Sequence, residues 1–101
     1  MKQIMVRYKV KQQYAADNEA LVREVFEDLH RIQPTGFSYA TFQLEDGVTF
    51  VHVVVETGEA GTPLADVPAF QRFLDGIAQR CEEPPVATGM REIGSYHFFA
   101  A

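Results

Sequence analysis

At 101 residues the chain is expected to form one domain spanning 1–101 that buries roughly 60% or more of its unfolded surface without covalent staples. It is 47% hydrophobic and 23% charged, with one cysteine, so an internal disulfide is excluded. A net charge of −5 argues against a nucleic-acid partner, which calls for a basic surface. No apolar run approaches the roughly 20 residues of a membrane span, and no apolar signal-peptide core is visible, so a cytoplasmic protein with no membrane partner is expected.

Taken in order, Ile4, Val6, Tyr8 and Val10 alternate with Met5, Arg7, Lys9 and Lys11, the period of a strand. The cations Lys2, Arg7, Lys9 and Lys11 read as a solvated or edge strand face rather than an anion site. Gln12 to Ala16 connects this strand to a helix from Asn18 to Gln33, with Asp17 as its N-cap. Leu21, Val22, Val25, Phe26, Leu29 and Ile32 form its apolar stripe, and Pro34 and Gly36 end it.

Phe37 to Glu56 reads as a β-hairpin about Asp46-Gly47, a two-residue loop suited to a type I′ turn. Pairing outward sets Gln43 against Phe50, Thr41 against His52 and Tyr39 against Val54. The other face carries Phe42, Leu44, Val51, Val53 and Val55. Being the more apolar of the two, it is expected to lie under the helices, leaving Tyr39 and His52 toward a wetter interface.

Thr57 to Pro63, TGEAGTP, is a loop that lacks the lysine and hydroxyl of a phosphate-binding motif. Leu64 to Val67 forms a short turn. A second helix is predicted from Pro68 through Phe70, Phe73, Leu74, Ile77, Ala78 and Cys81, with Gly76 marking close packing. Glu82-Glu83-Pro84-Pro85 ends it, and Arg91 to Phe99 is predicted as the last strand, with a bulge at Gly94. The order β-α-β-β-α-β predicts an α+β, ferredoxin-like plait with helices on one face of a four-stranded antiparallel sheet. Because both hairpin faces are apolar, a second copy of the sheet is expected to cover the remaining one, giving a homodimeric barrel.

The segments IMVRYKVK, ADNEALVREVFEDL, PTGFSYATFQL, FVHVVVE and PAFQRFLDGIAQRC resemble the antibiotic-biosynthesis-monooxygenase-like family of dimeric α/β barrels. The resemblance covers nearly the whole chain. It implies a homodimer with a pocket in each subunit between sheet and helices. Members of that family include cofactor-independent oxygenases acting on polyketide-like aromatics and haem-degrading enzymes, and many others have no established activity. The haem-degrading members carry an asparagine on the first strand and a histidine on the second helix. Here Val6 stands near the first position and no histidine lies between Pro68 and Cys81. The chain also lacks tryptophan, which such sites often use. No catalytic residue is carried over, and no cofactor is expected.

The residues themselves offer three candidates. His52, mid-strand among valines with Tyr39 near it, suits a base or a substrate-orienting group; its alternative is a buried imidazole satisfied by a hydroxyl or water. His97, beside Tyr96, is the second, and Tyr39 itself the third. His30, late in the first helix, fits a helix-dipole partner. Histidines at 30, 52 and 97 with no cysteine pair make no metal motif. Cys81 reads as a small core residue, and Tyr8, Phe26, Phe70 and Phe73 as core that also suits the lining of an apolar pocket. Two functions follow: a cofactor-independent monooxygenase-like protein acting on a small aromatic or apolar substrate, or a non-catalytic dimeric module that binds a small ligand or serves as a structural partner.

Overall fold

The computed structural model describes residues 2–57 and 64–98. Four strands, β1 (Lys2–Val10), β2 (Phe37–Gln43), β3 (Thr49–Glu56) and β4 (Cys81–Met90), form one antiparallel sheet in the order β2-β3-β1-β4. Helix α1 (Ala15–Ile32) follows a 3-10 turn at Gln12–Tyr14. The second crossover is α2 (Pro68–Leu74) and α3 (Ile77–Arg80). This is the ferredoxin-like βαββαβ plait, the subunit fold of the dimeric α/β barrels. The predicted loop over 57–63 lies, Thr57 apart, outside the described residues.

β1 is a central strand, so its cations do not mark an edge. Lys9 pairs with Glu82 and Glu83 across to β4, at 3.6 and 3.9 Å. Helix α1 starts earlier than expected, at Ala15. Asp17 therefore sits in the first turn, where a carboxylate favours the helix dipole, rather than at the cap. The chain leaves α1 through Gln33 in the left-handed region, whose N–H reaches the Leu29 carbonyl at 2.8 Å.

The hairpin register is as expected: Gln43 pairs with Phe50, Thr41 with His52 and Tyr39 with Val54. The turn is not. A type I′ turn needs positive φ at both central residues, and only Gly47 has it (φ 78°). Leu44 instead closes a four-residue loop, accepting from the Gly47 N–H at 3.0 Å and donating its own to the Thr49 carbonyl at 2.8 Å. Asp46 accepts from the Val48 and Thr49 N–H groups and the Thr49 hydroxyl. Those bonds, the Thr49 hydroxyl's first, hold its carboxyl below the usual carboxylate range. Lengthening the loop by one residue on each side leaves the pairing unchanged.

The second helix breaks where a continuous one was predicted. Gly76 has φ 77°, a left-handed conformation that no helix interior holds. A Cβ there would meet nothing nearer than Arg80 Nη1 at 3.6 Å, so the glycine answers a backbone requirement rather than close packing. Cys81 accordingly opens β4 instead of ending a helix. The last strand is 81–90, not 91–99. Pro84 and Pro85 are tolerated because β4 is an edge strand, and the register against β1 shifts between Arg7 and Lys9 to absorb them. Residues 91–98 lie beyond the strand and are exposed, so Gly94 makes no bulge in it.

The face assignment is reversed. Tyr8, Val10, Phe50 and His52 join Val22 and Val25 of α1 and Ala69 and Phe73 of α2 in the buried interior, with Tyr39 packed against it. Phe42, Leu44, Val86 and Met90 are exposed on the face that the helices leave open, where Val51, Val53 and Val55 are half-buried. The polar groups of the covered face are tolerated there because they satisfy one another.

Candidate functional site

His52 is buried, only 5% exposed, between two tyrosines and two strands. β3 aims it toward α2, where its ring lies 5.3 Å from that of Phe73. Its Nε2 meets the Tyr8 hydroxyl at 2.8 Å, from the neighbouring strand β1. Its Nδ1 meets Thr41 Oγ1 at 3.1 Å and the Tyr39 hydroxyl, both from β2. The antiparallel registers place these partners: Thr41 lies directly opposite His52, and Tyr39 and Tyr8 are two residues off its two cross-strand partners, on the same face. Burial pulls the imidazole pKa down to about 4, so the ring is neutral at physiological pH. Burial likewise pushes Tyr39 up to about 12 against a lowering hydrogen bond from Thr41, and pushes Tyr8 well above the ordinary phenol range against one from Asn18.

The polar chain continues inward. Asn18 Nδ2 donates to the Tyr8 hydroxyl at 2.8 Å, and Arg80 Nε donates to Asn18 Oδ1 at 3.2 Å. Arg80 is 7% exposed, with its guanidinium 5.5 Å from the Phe73 ring centroid. The helix break puts it there. Turning at Gly76 lets Arg80 reach back and donate to the carbonyls of Phe73 and Asp75, which the end of α2 leaves without intrahelical partners. Among the described residues, no buried side-chain nitrogen or oxygen lacks a partner.

One side of this network faces a cavity of about 180 Å³ between the sheet and α2. Val6, Val54, Leu64, Phe70, Leu74, Ile77 and Pro85 supply aliphatic and aromatic walls, and the rings of Tyr8, Tyr39, His52 and Phe73 complete the lining. Tyr39 is held between rings, stacked on Phe26 at 5.1 Å and edge-on to Phe70 at 6.5 Å. On the other side, Thr41 and Phe26 border a wider open groove of about 690 Å³ along α1, where His30, Glu19 and Glu27 also lie.

The structure thus brings together Tyr39 and His52, and with them Tyr8, Phe70 and Phe73. His97 is elsewhere: it sits in the exposed segment after β4, its ring against Tyr96. Cys81 packs at the edge of the core, and burial raises its thiol, which suits an inert side chain. Asn18 and Arg80 were not foreseen. Asn18 did carry a signal: at 18, 22 and 25 it shares the apolar stripe of α1, a polar residue where a hydrophobe belongs. Among the described residues, no group of three His, Cys, Asp or Glu side chains is placed to hold a metal ion, and no helix is long and apolar enough to cross a membrane.

Solved structures of the antibiotic biosynthesis monooxygenases share this fold across most of the chain. One antibiotic biosynthesis monooxygenase superposes with a TM-score of 0.71 at 18% identity, covering 93% of this chain and 100% of its own. A candidate antibiotic biosynthesis monooxygenase from Nitrosomonas europaea gives 0.72 at 15% identity, with coverage of 93% and 100%. SnoaB, a cofactor-independent oxygenase from Streptomyces nogalater, gives 0.57 at 15% identity, covering 93% of this chain and 94% of its own. No family model matches the chain, and neither does any curated protein by sequence. At these identities the likeness is one of fold.

Proposed function

We propose that the chain is a cofactor-independent monooxygenase-like protein acting on a small aromatic substrate in the cavity beneath α2. The observation that carries this reading is a wholly apolar cavity of single-ring size, lined by the rings of Tyr8, Tyr39, His52, Phe70 and Phe73, whose hydroxyls and imidazole nitrogens are turned to one another behind its wall. SnoaB, with the same fold, is a cofactor-independent oxygenase. A monocyclic phenol and dioxygen give a quinone and water without added reductant: one oxygen atom enters at a ring C–H, and the other leaves as water with two hydrogens. The protein's part is to exclude bulk water and hold the ring against Phe70 and Phe73. A haem role is not part of the proposal. Val6 lines the cavity where an asparagine would be wanted, α2 and α3 contain no histidine, and about 180 Å³ is too small for a tetrapyrrole.

A second reading is favoured by the state of His52. With a pKa near 4 and both ring nitrogens engaged, it is a weak base, which suits a non-catalytic module that binds a small ligand. Dioxygen uptake separates the two. Incubation with monocyclic phenols such as 2,6-dimethylphenol should consume one dioxygen per quinone formed, and filling the cavity by Val54→Phe should abolish it. Binding with no uptake selects the module.

The protein is further proposed to be a homodimer joined through the open sheet face. Phe42, Val86 and Met90 lie there at 45, 61 and 40% exposure, with half-buried Val51, Val53 and Val55 and the cation Arg7 between them, and exposed apolar side chains gathered on one face mark an interaction surface. Sedimentation at micromolar concentration should return about twice the chain mass, and a clean monomer would refute the dimer.

A further inference from the structure

We infer that residues 91–98 of each copy add, as an extra strand, to the outer margin of β2 in a second copy of this chain and seat an apolar side chain in the groove along α1. The inference rests on the reading of the open sheet face as a homodimer interface.

The arm that would be donated continues directly from β4. Ile93 and Tyr96 in it stand 85 and 87% exposed. Both are residue types that favour strands, yet within its own chain the arm joins no strand of the sheet. Two large apolar side chains so bare and so close together mark a surface that another surface covers.

The acceptor is the opposite margin of the sheet. β2 and β4 are its two edge strands. Edges are ordinarily blunted against further pairing by prolines, charges or bulges. β4 has Pro84, Pro85 and a register shift. β2, FSYATFQ, has no proline and no charged residue, and its seven pairs with β3 run without a shift. Its outer backbone groups are a continuous template for one more strand. Beside that margin lies the groove of about 690 Å³, between Thr41 and Gln43 of β2 and the face of α1 that carries Val22 and Phe26. A strand added to β2 runs along the mouth of this groove. Ile93 and Tyr96 are three residues apart, so in a strand they point to opposite faces of the sheet. One then enters the groove over Val22 and Phe26, and the other meets the open face beside Phe42. Either assignment gives both side chains an apolar seat.

Donor and acceptor sit on the same chain, which makes a second copy the fitting occupant. A two-fold pair closes on itself: each copy gives one arm and takes one. With the order β2-β3-β1-β4, a two-fold axis along the strands sets β4 of each copy across from β2 of the other. Stacked sheets lie about 10 Å apart, and eight extended residues span about 26 Å. The arm therefore reaches the other copy's margin with length left to pair. To reach its own β2 it would have to cross the whole open face that the other copy covers.

The test uses the full chain. In a dimer mixed from isotope-labelled and unlabelled copies, Ile93 or Tyr96 should show nuclear Overhauser contacts to Phe26 or Phe42 of the other copy. The outer amides of β2 should be protected from hydrogen exchange in the dimer. The double variant Ile93→Ser/Tyr96→Ser should lose that protection and raise the dimer dissociation constant about a hundredfold by sedimentation, since each apolar seat is lost twice. Both side chains are exposed in the single chain, so the subunit itself should fold unchanged. Contacts confined to one copy, or a double variant with unchanged dissociation constant and unchanged β2 protection, would overturn the arm exchange and leave the homodimer standing. A wild-type chain that stays monomeric at micromolar concentration removes both.

Discussion

The two faces of the sheet are made of similar material and meet different fates. The face under the helices holds two tyrosines, a histidine and a threonine among its apolar groups, while the open face carries Val51, Val53, Val55 and Phe42. Apolar content alone would put the valines inside. What decides is mutual satisfaction: Tyr8, His52, Tyr39 and Thr41 pair with each other and with Asn18 and Arg80 from the helical layer. A polar face that closes its own hydrogen bonds buries at little cost, and it is organised only when the helices arrive.

The largest expected effect tests which face carries the fold. Phe50→Ala, on the covered face at 2% exposure, should cost about 3–5 kcal/mol in urea denaturation. Phe42→Ala, on the open face, should cost less than about 1 kcal/mol of chain stability and be felt mainly in dimerisation. Equal losses would erase the distinction between the faces.

Acid should act next, through His52. Its hydrogen-bond partners are Tyr8, Tyr39 and Thr41, with the Arg80 charge reaching it only through Asn18 and Tyr8. The folded pKa, about 4, lies below the ordinary 6.5, so the unfolded chain takes up the proton first. Stability is therefore full above pH 6.5 and falls as pH drops through about 4, by about 3 kcal/mol in all. His52→Gln should flatten the denaturation midpoint across that window; a slope that persists belongs to other groups.

The smallest effect sharpens the polar side of the comparison. Tyr8→Phe keeps the ring on Phe50 but deprives His52 Nε2 and Asn18 Nδ2 of a partner, and should cost about 1–3 kcal/mol by thermal or urea unfolding. A neutral result would mean that the chain of hydrogen bonds contributes nothing to holding the covered face.

Much of this was legible in the residues, for identifiable reasons. The hairpin pairing was, because a period of two and a symmetric loop tolerate an error in the turn type. The β-α-β-β-α-β order was too, because the helical stripes are strong. The inward face was not, since the hydrogen bonds of His52 go to two other strands and continue through Tyr8 to two helices, and no local pattern joins Asn18 to Arg80. The last strand was missed because Pro84 and Pro85 look like a stop signal unless the strand is known to be an edge.

Those two prolines have a consequence for how the molecule associates. Pro84 and Pro85 lie where the register against β1 shifts, and neither carries an N–H, so two consecutive backbone donors are missing from this edge strand. The outer margin of β4 is therefore an interrupted template, on which an extended segment from another chain cannot zip up without a gap. Growth by adding strands along this margin, the route to aggregates, is discouraged. Stacking of one sheet upon another involves no backbone donors and is unaffected.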